Sequence, residues 1–371
     1  VAYQERTNLL KQLLFPASRT LRAVFSHLPL REVDLLATGR QAPFFQEWLE
    51  HDQPESAYWR QRSFEANVKE VASPVNLVAG WYDIFLPWQL RDAGKHPFLT
   101  VGPWAHTTSE LNFLSIRESL AWLHAHLRED RSQLRAAPVR VFVTGANEWR
   151  ELNDWPPPDA IQQHWYLQPG KGLAPELPPI SEPDRYRYDP ANPTPVLAGP
   201  LLGGKSLPTD NRRLEERADV LTYTSAALDQ ELDVIGPVQA YLSVRSSLEH
   251  TDFFVRLCDV DTQGRSINVC DALLRVSPGR PAPLPDGTLH INFGLWPTAH
   301  RFCAGHRIRV QISSGAHPRF ARNTGSGEPL ATAVKLLRAD QTIYHDPERP
   351  SGIVLSVLPT GQTSLDTNFT V

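Results

Sequence analysis

Two apolar runs in this sequence each stop on a side chain that can hold or move a proton. Residues 75–82 (Val-Asn-Leu-Val-Ala-Gly-Trp-Tyr) end at Asp83, and residues 98–105 (Phe-Leu-Thr-Val-Gly-Pro-Trp-Ala) end at His106. In a parallel sheet flanked by helices, loops leaving the carboxyl ends of neighbouring strands converge, so both side chains are expected at one rim. A carboxylate followed by an imidazole in that order is the acid–base half of a Ser…Asp…His triad. The nucleophile of such a triad precedes its acid, and little chain stands ahead of Asp83. No Gly-x-Ser-x-Gly occurs. Ser326, between two glycines, and Ser109, just past His106, lack a strand-then-helix setting and read as loop serines. Alone, Asp83 reads equally as a helix N-cap and His106 as an ordinary loop histidine. Their placement after consecutive strands favours a working pair, with oxygen and nitrogen roughly 2.6–3.2 Å apart.

The elements that must hold this pair follow from periodicity. Residues 71–160 alternate strand and helix, the pattern of a parallel sheet with covering helices. The spacing of Leu114, Ile116, Leu120, Trp122, Leu123 and Leu127 predicts a helix packed on that sheet. Residues 139–143 read as a further strand. Residues 1–70 read as a helical lid, with Leu9, Leu10, Leu13, Leu14, Leu21, Val24 and Phe25 at steps of three and four. Residues 161–371 turn to short strands between Gly and Pro turns, which indicates a sandwich or jelly roll. The boundary falls near Trp155-Pro156-Pro157-Pro158, a stiff linker by composition. The fold class is therefore α/β plus all-β.

Composition excludes several partners. A net charge of −4 over 371 residues offers nothing to nucleic acid or an acidic membrane. No apolar run approaches the ~20 residues that span a bilayer, and no basic-then-apolar leader opens the sequence, so a cytoplasmic location is expected. Cys258, Cys270 and Cys303 have no metal-ligand spacing and read as buried small hydrophobes, although the first two could face each other across a hairpin. His124 and His126, two apart on a helix, point to different faces. His300 and His306 read as surface residues around a turn. Asp252, Asp259 and Asp271 read as turn and edge carboxylates rather than a calcium cluster. Methionine is absent from all 371 positions, which suggests an incomplete record of a longer product.

An ordered set of motifs resembles the cocaine esterase/X-Pro dipeptidyl-peptidase group of serine hydrolases. These are Gly80-Trp81-Tyr82-Asp83, Gly102-Pro103-Trp104-Ala105-His106 and Asn147-Glu148-Trp149-Arg150, then Gly236-Pro237-Val238, Thr251-Asp252-Phe253, Asp259-Val260 through Gly264-Arg265-Ser266-Ile267, and residues 313–322. The resemblance implies a helical cap over residues 1–70, the carboxyl-terminal half of an α/β-hydrolase core over 71–160 and a jelly roll over 161–371. It implies Asp83 as triad acid, His106 as triad base, and Phe85, with Trp81 and Trp104, as walls of a substrate pocket. The nucleophilic serine, which the family places ahead of the cap, is missing, and the 85–95 connection is short. The implied substrate is a small ester or a short peptide, cleaved through an acyl-enzyme with no cofactor and no metal. Glu47, Glu50 and Asp52 are lid carboxylates suited to anchor a free amino terminus. A companion amino-terminal segment, or a homo-oligomer, is the expected partner. The alternative is a non-catalytic jelly-roll product with a binding or structural role, and a carbohydrate-binding jelly roll stands third.

Overall fold

Among the described residues, three short α-helices of known bounds precede the first strand: α1 (Val33–Thr38), α2 (Pro43–Glu50) and α3 (Ala57–Arg62). The computed structural model describes residues 24–94, 98–106, 108–202 and 206–359. The periodic leucines at 9–21 and the end of the 85–95 connection lie outside the described residues. Buried Asp34 holds the first two helices together, accepting from the Ala42 N–H at 2.6 Å and from Gln46 Nε2 at 3.0 Å. The described part of residues 24–70 is tied to the rest of the molecule at two points. The Arg31 N–H donates to Ala331 O at 3.0 Å, and Glu65 pairs with Arg91 at 2.9 Å.

The smaller sheet runs β1 (Leu77–Tyr82), β2 (Leu99–Ala105), β3 (Val139–Val143) and β4 (Glu148–Leu152) in that spatial order. The first three strands are parallel, and β4 returns antiparallel to β3. Helix α4 (Leu86–Ala93) crosses from β1 to β2, and α5 (Ser109–Leu127) from β2 to β3. Ala79, Trp81, Leu99, Val101, Val139, Val141 and Val143 make one apolar face, against which α4 sets Leu86, Leu90 and Ala93. The neighbouring positions of the pleat face α5, where Glu118 takes Arg135 Nη1 at 2.6 Å and lies 3.7 Å from Arg140 Nη1.

The helix expected over the later leucines is present, but it is rotated from the expected packing. Glu118, Ala121 and Ala125 are its buried residues, whereas Phe113, Ile116, Leu120, Leu123 and Leu127 are exposed. The pair of arginines under the sheet explains this. They draw Glu118 inward, and the small alanines allow close approach.

Backbone approach is close where β1 passes β2. A Cβ on Gly80 would overlap the Trp104 carbonyl, and one on Gly102 would run into the Trp104 ring. A main-chain carbonyl cannot rotate away, so Gly80→Ala should lower stability by about 1–3 kcal/mol. Urea unfolding measures this; a variant within about 0.5 kcal/mol of the parent would show that the strands can separate freely.

The larger sheet contains β5 (Ile161–Gln168), β6 (Gly172–Ala174), β7 (Asp184–Tyr188), β8 (Leu221–Ser225), β9 (Leu232–Ser246), β10 (Thr251–Val260), β11 (Ser266–Val276), β12 (Leu289–Phe302), β13 (Arg307–Ser313), β14 (Ala339–Tyr344) and β15 (Gly352–Leu358). Its order is β11-β10-β13-β8-β6-β5-β15-β9-β14-β7, with β12 also on β9. Every pairing is antiparallel except β6 with β8. Inward residues such as Tyr223, Val238, Phe253, Leu257, Phe302 and Ile312 form one core. Cys270 stands opposite Leu257, and Cys258 opposite Asn268, so the two cysteines are not cross-strand partners. Burial pushes the Cys258 thiol up to about 12.

The two sheets are joined. The Thr144 N–H donates to Ala299 O at 3.0 Å, and the Arg301 N–H to Thr144 O at 2.8 Å. Gly145 follows at φ +83°, where a Cβ would overlap the Arg301 carbonyl, so glycine is required there. Asp233 on β9 accepts from Arg150 Nη1 at 2.8 Å and from Arg301 Nε at 2.6 Å. Ile235, Ala299 and Leu358 complete the core around Trp81 and Trp155, whose rings lie 5.8 Å apart. The proline-rich boundary thus begins on a packed residue.

Burial works against the charged form of Asp233, but the donors from Arg301 and Arg150 outweigh it and hold the carboxyl below its ordinary range. A carboxyl with a depressed folded-state pKa stabilises above its unfolded value of about 3.9. That contribution is lost as the pH falls through the folded value. Melting temperatures between about pH 5 and pH 2 should therefore fall less steeply for Asp233→Asn than for the parent. Parallel acid limbs would contradict the assignment.

Candidate active site

Asp83 lies one residue beyond β1 and is almost fully buried; His106 lies one residue beyond β2, with its side chain 37% exposed. The two strands are hydrogen-bonded neighbours running the same way, so their ends coincide at the rim. His106 Nδ1 is 3.1 Å from Asp83 Oδ2, within the expected range. The other carboxylate oxygen, Oδ1, accepts from the Phe85 N–H at 2.9 Å. The Asp83 N–H donates to Gly80 O, and the Leu86 N–H to Asp83 O, which closes a tight turn into α4. Asp83 is therefore held by its main chain and by one oxygen before the imidazole is considered.

The histidine is held with similar economy. Thr108 Oγ1 donates to Ala105 O at 2.7 Å and accepts from the Ala105 N–H at 2.8 Å. This turn orients the residues between β2 and α5. No motif reading singled out Thr108; the Ser/Thr position just before a helix was its available signal. An ionised carboxylate only accepts, so the proton on the paired nitrogen belongs to Nδ1. The Nε2 lone pair is then left for a proton from an incoming group.

Of the three aromatic residues expected around the pair, one stands beside it. Phe85 sets its ring edge-on to the His106 imidazole at 5.2 Å and is half exposed. Trp81 donates from Nε1 to Phe142 O at 2.7 Å and packs in the junction between the sheets. It borders a small cleft there with Tyr82, Pro200, Asp271 and Trp296. Trp104 is buried against Trp149 at 5.7 Å and over Gly102. The burial of both tryptophans is explained by packing.

The other candidate side chains also have partners. Ser109 Oγ donates to Glu110, and Ser326 Oγ to Glu328. His300 is not a surface residue. It is buried, with Nε2 3.2 Å from Asp259 and Nδ1 2.8 Å from Thr144 Oγ1, because it bridges the two sheets. His306 Nδ1 shares Asp259 at 2.9 Å. Asp252 and Asp271 are likewise buried ion-pair carboxylates, taken up by Arg275 and by Arg256 with Arg319. Among the described residues no group of three His, Cys, Asp or Glu is placed to hold a metal. No helix among them is long and apolar enough to cross a membrane. On α2, Glu47 lies 3.6 Å from Arg62 of α3.

Residues 134–354 match the family described as the X-Pro dipeptidyl-peptidase C-terminal non-catalytic domain, and residues 8–108 match the X-Pro dipeptidyl-peptidase S15 family. The cocaine esterase of Rhodococcus sp. is 33% identical over 368 residues, an alignment covering 89% of this chain and 64% of the esterase. The chain thus spans less than two thirds of that relative's length. Among solved structures, an α-amino acid ester hydrolase superposes with a TM-score of 0.78 at 24% identity, over 92% of this chain and 64% of the other. An aminopeptidase from a Thaumarchaeota archaeon superposes with a TM-score of 0.75 at 23% identity, over 85% of this chain and 60% of the other. These two likenesses establish the fold. With the family matches spanning both sheets, the chain belongs to the cocaine esterase/X-Pro dipeptidyl-peptidase family of hydrolases.

Proposed function

We propose that this chain supplies the acid and base of a serine hydrolase that cleaves ester or amide bonds through an acyl-enzyme. The observation that carries the reading is the contact between Asp83 Oδ2 and His106 Nδ1 at the ends of two adjacent parallel strands. In the reaction, His106 Nε2 takes the proton of a serine hydroxyl as its oxygen attacks the acyl carbon. The imidazolium is stabilised by Asp83, and the proton passes to the leaving alcohol or amine. Water then repeats the sequence and releases the acid. Phe85 forms an apolar wall beside the base, suited to the acyl or leaving group. The serine comes from outside these 371 residues, in a companion amino-terminal segment of the same family protein. The larger sheet is read as the jelly roll of this family and is joined to the smaller sheet at Thr144, just past the end of β3. Residues 1–70 form the cap.

The test is made on the chain assembled with that segment. A pre-steady-state burst with p-nitrophenyl esters, and labelling of one serine by a fluorophosphonate, are the expected results. Asp83→Asn should lower turnover about 10⁴-fold by releasing the wrong tautomer. Assembly with no burst and no labelling would leave the chain a non-catalytic binding or structural product.

A further inference from the structure

The small cleft between the two sheets carries a charge that its own groups do not balance. Arg256, Arg319 and Asp271 meet at its edge, with 1%, 7% and 2% of their side chains exposed. Two guanidinium groups thus share one carboxylate. Arg256 directs Nε and Nη2 to Asp271 Oδ2, and Nη1 to the neutral acceptors Asn211 Oδ1 and Leu197 O. Arg319 donates from Nη1 to Asp271 Oδ1, and its buried Nη2 has no acceptor among the described residues. That guanidinium lies against the cleft wall. A Cβ on Gly199 would stand 3.0 Å from its Nη1, and its central carbon is 5.2 Å from the centre of the Trp296 ring. Gly199, Asp271 and Trp296 all line the cleft. A buried charge without a counter-charge is costly.

Two further donors border the same space. Asn268, on β11, lines the cleft and is buried. Its Oδ1 accepts from the Thr209 N–H at 2.8 Å and from Asn211 Nδ2 at 3.3 Å. Those two bonds fix which end of the amide is which, and they leave Nδ2 with no acceptor among the described residues. Tyr82, the last residue of β1, also lines the cleft, and its hydroxyl makes no hydrogen bond among the described residues. Burial pushes that hydroxyl up, so it keeps its proton and can donate.

We propose that this cleft binds one small monovalent anion of halide size, held by the Tyr82 hydroxyl, Asn268 Nδ2 and Arg319 Nη2. A water molecule would satisfy the same donors, but it would leave the second guanidinium without a counter-charge. An anion supplies both. The cleft is bordered by Trp81 and Tyr82 of the smaller sheet and by residues of β11 and β12 of the larger. An anion there would fasten the two sheets together one residue before Asp83. Such binding is independent of the acyl-transfer reading.

Thermal unfolding of the 371-residue chain in sodium chloride and in sodium gluconate, at equal ionic strength, tests this. Gluconate is too large for the cleft. Raising the salt to about 0.2 M should lift Tm by about 3 °C more in chloride than in gluconate. Tyr82→Phe removes a hydroxyl that bonds to nothing else, so it should melt with the parent in gluconate and below it in chloride. Asn268→Asp keeps Oδ1 and puts a negative charge on the cleft wall, so its extra rise in chloride should vanish. Crystals grown in bromide should show anomalous density in the cleft, in contact with Asn268 Nδ2 and the Tyr82 hydroxyl. Equal rises in the two salts overturn the proposal. So does a chloride effect that persists undiminished in either variant, or a cleft that holds water and no bromide.

Discussion

His106→Ala, introduced into the assembled protein, is expected to lower turnover of p-nitrophenyl esters by about 10³-fold or more while the fold survives. The size follows from what the imidazole would do. A serine hydroxyl has negligible nucleophilicity near neutral pH unless a base removes its proton during attack. The only acid–base pair at the rim of the parallel strands, among the described residues, is His106 with Asp83. Removing the ring leaves only the contributions of substrate binding and oxyanion stabilisation. The fold should tolerate the change because the side chain is more than a third exposed and bonds to one partner. The Thr108 turn that shapes this loop uses main-chain groups of Ala105 and stays intact. Equal values of kcat for variant and parent would end the proposal. A loss confined to KM would assign His106 to binding instead.

The second large effect concerns stability. Arg256 is fully buried on β10, and its guanidinium makes four short hydrogen bonds to three acceptors. Nε and Nη2 donate to Asp271 Oδ2 at 3.1 and 2.9 Å, and Nη1 donates to Asn211 Oδ1 at 2.6 Å and Leu197 O at 2.7 Å. Burial alone would raise the Asp271 carboxyl, but Arg319 and Arg256 together hold it below its ordinary range. Replacing one partner of a buried pair leaves the other charge uncompensated, at a loss of about 3–5 kcal/mol. Arg319 stays on Asp271 Oδ1 in such a variant, which places Arg256→Leu near the lower end of that range. Asn211 and the Leu197 carbonyl lose a donor outright. Urea denaturation with an unchanged slope should show the loss, and a shift below about 1 kcal/mol would mean that water enters and solvates the carboxylate.

How much of this was legible before any coordinates depends on the kind of signal. The strands before Asp83 and His106 were readable because Val, Leu and Ala positions in a two-sided sheet leave a continuous apolar run. The meeting of the two side chains followed from strand adjacency alone. The place of Phe85 beside the imidazole was suggested by its position two residues after Asp83. Helix α5 was also readable, yet its buried face was not. Apolar periodicity reports which residues share a side, and the decision as to which side faces inward was made by Glu118, Arg135 and Arg140 from separate elements. His300 was misread for a similar reason. Its neighbours in sequence suggest a turn, and its partners, Thr144 and Asp259, are 156 and 41 positions away. Buried ion pairs such as Arg256 with Asp271 leave no local pattern, since charge at a strand position usually means solvent. Trp81 and Trp104 show the limit of proximity: closeness to Asp83 and His106 in sequence allowed a pocket wall or core packing, and the structure packs Trp81 in the junction between the sheets and Trp104 over Gly102 against Trp149.

The join between the sheets bears on how such a protein can change over generations. Thr144, Gly145 and Arg150 belong to one sheet, and Asp233, Ala299, His300 and Arg301 to the other, yet each set completes the hydrogen bonds of its counterpart. A recombination event between residues 152 and 161 would bring together halves with separate histories. Unless both carried matching residues at these positions, the hybrid would leave buried Asp233 without Arg150, one of its two arginines, and seat a side chain where only glycine fits. Exchange of everything after residue 161 between two such proteins is therefore expected to cost stability unless the residues of the join are exchanged with it.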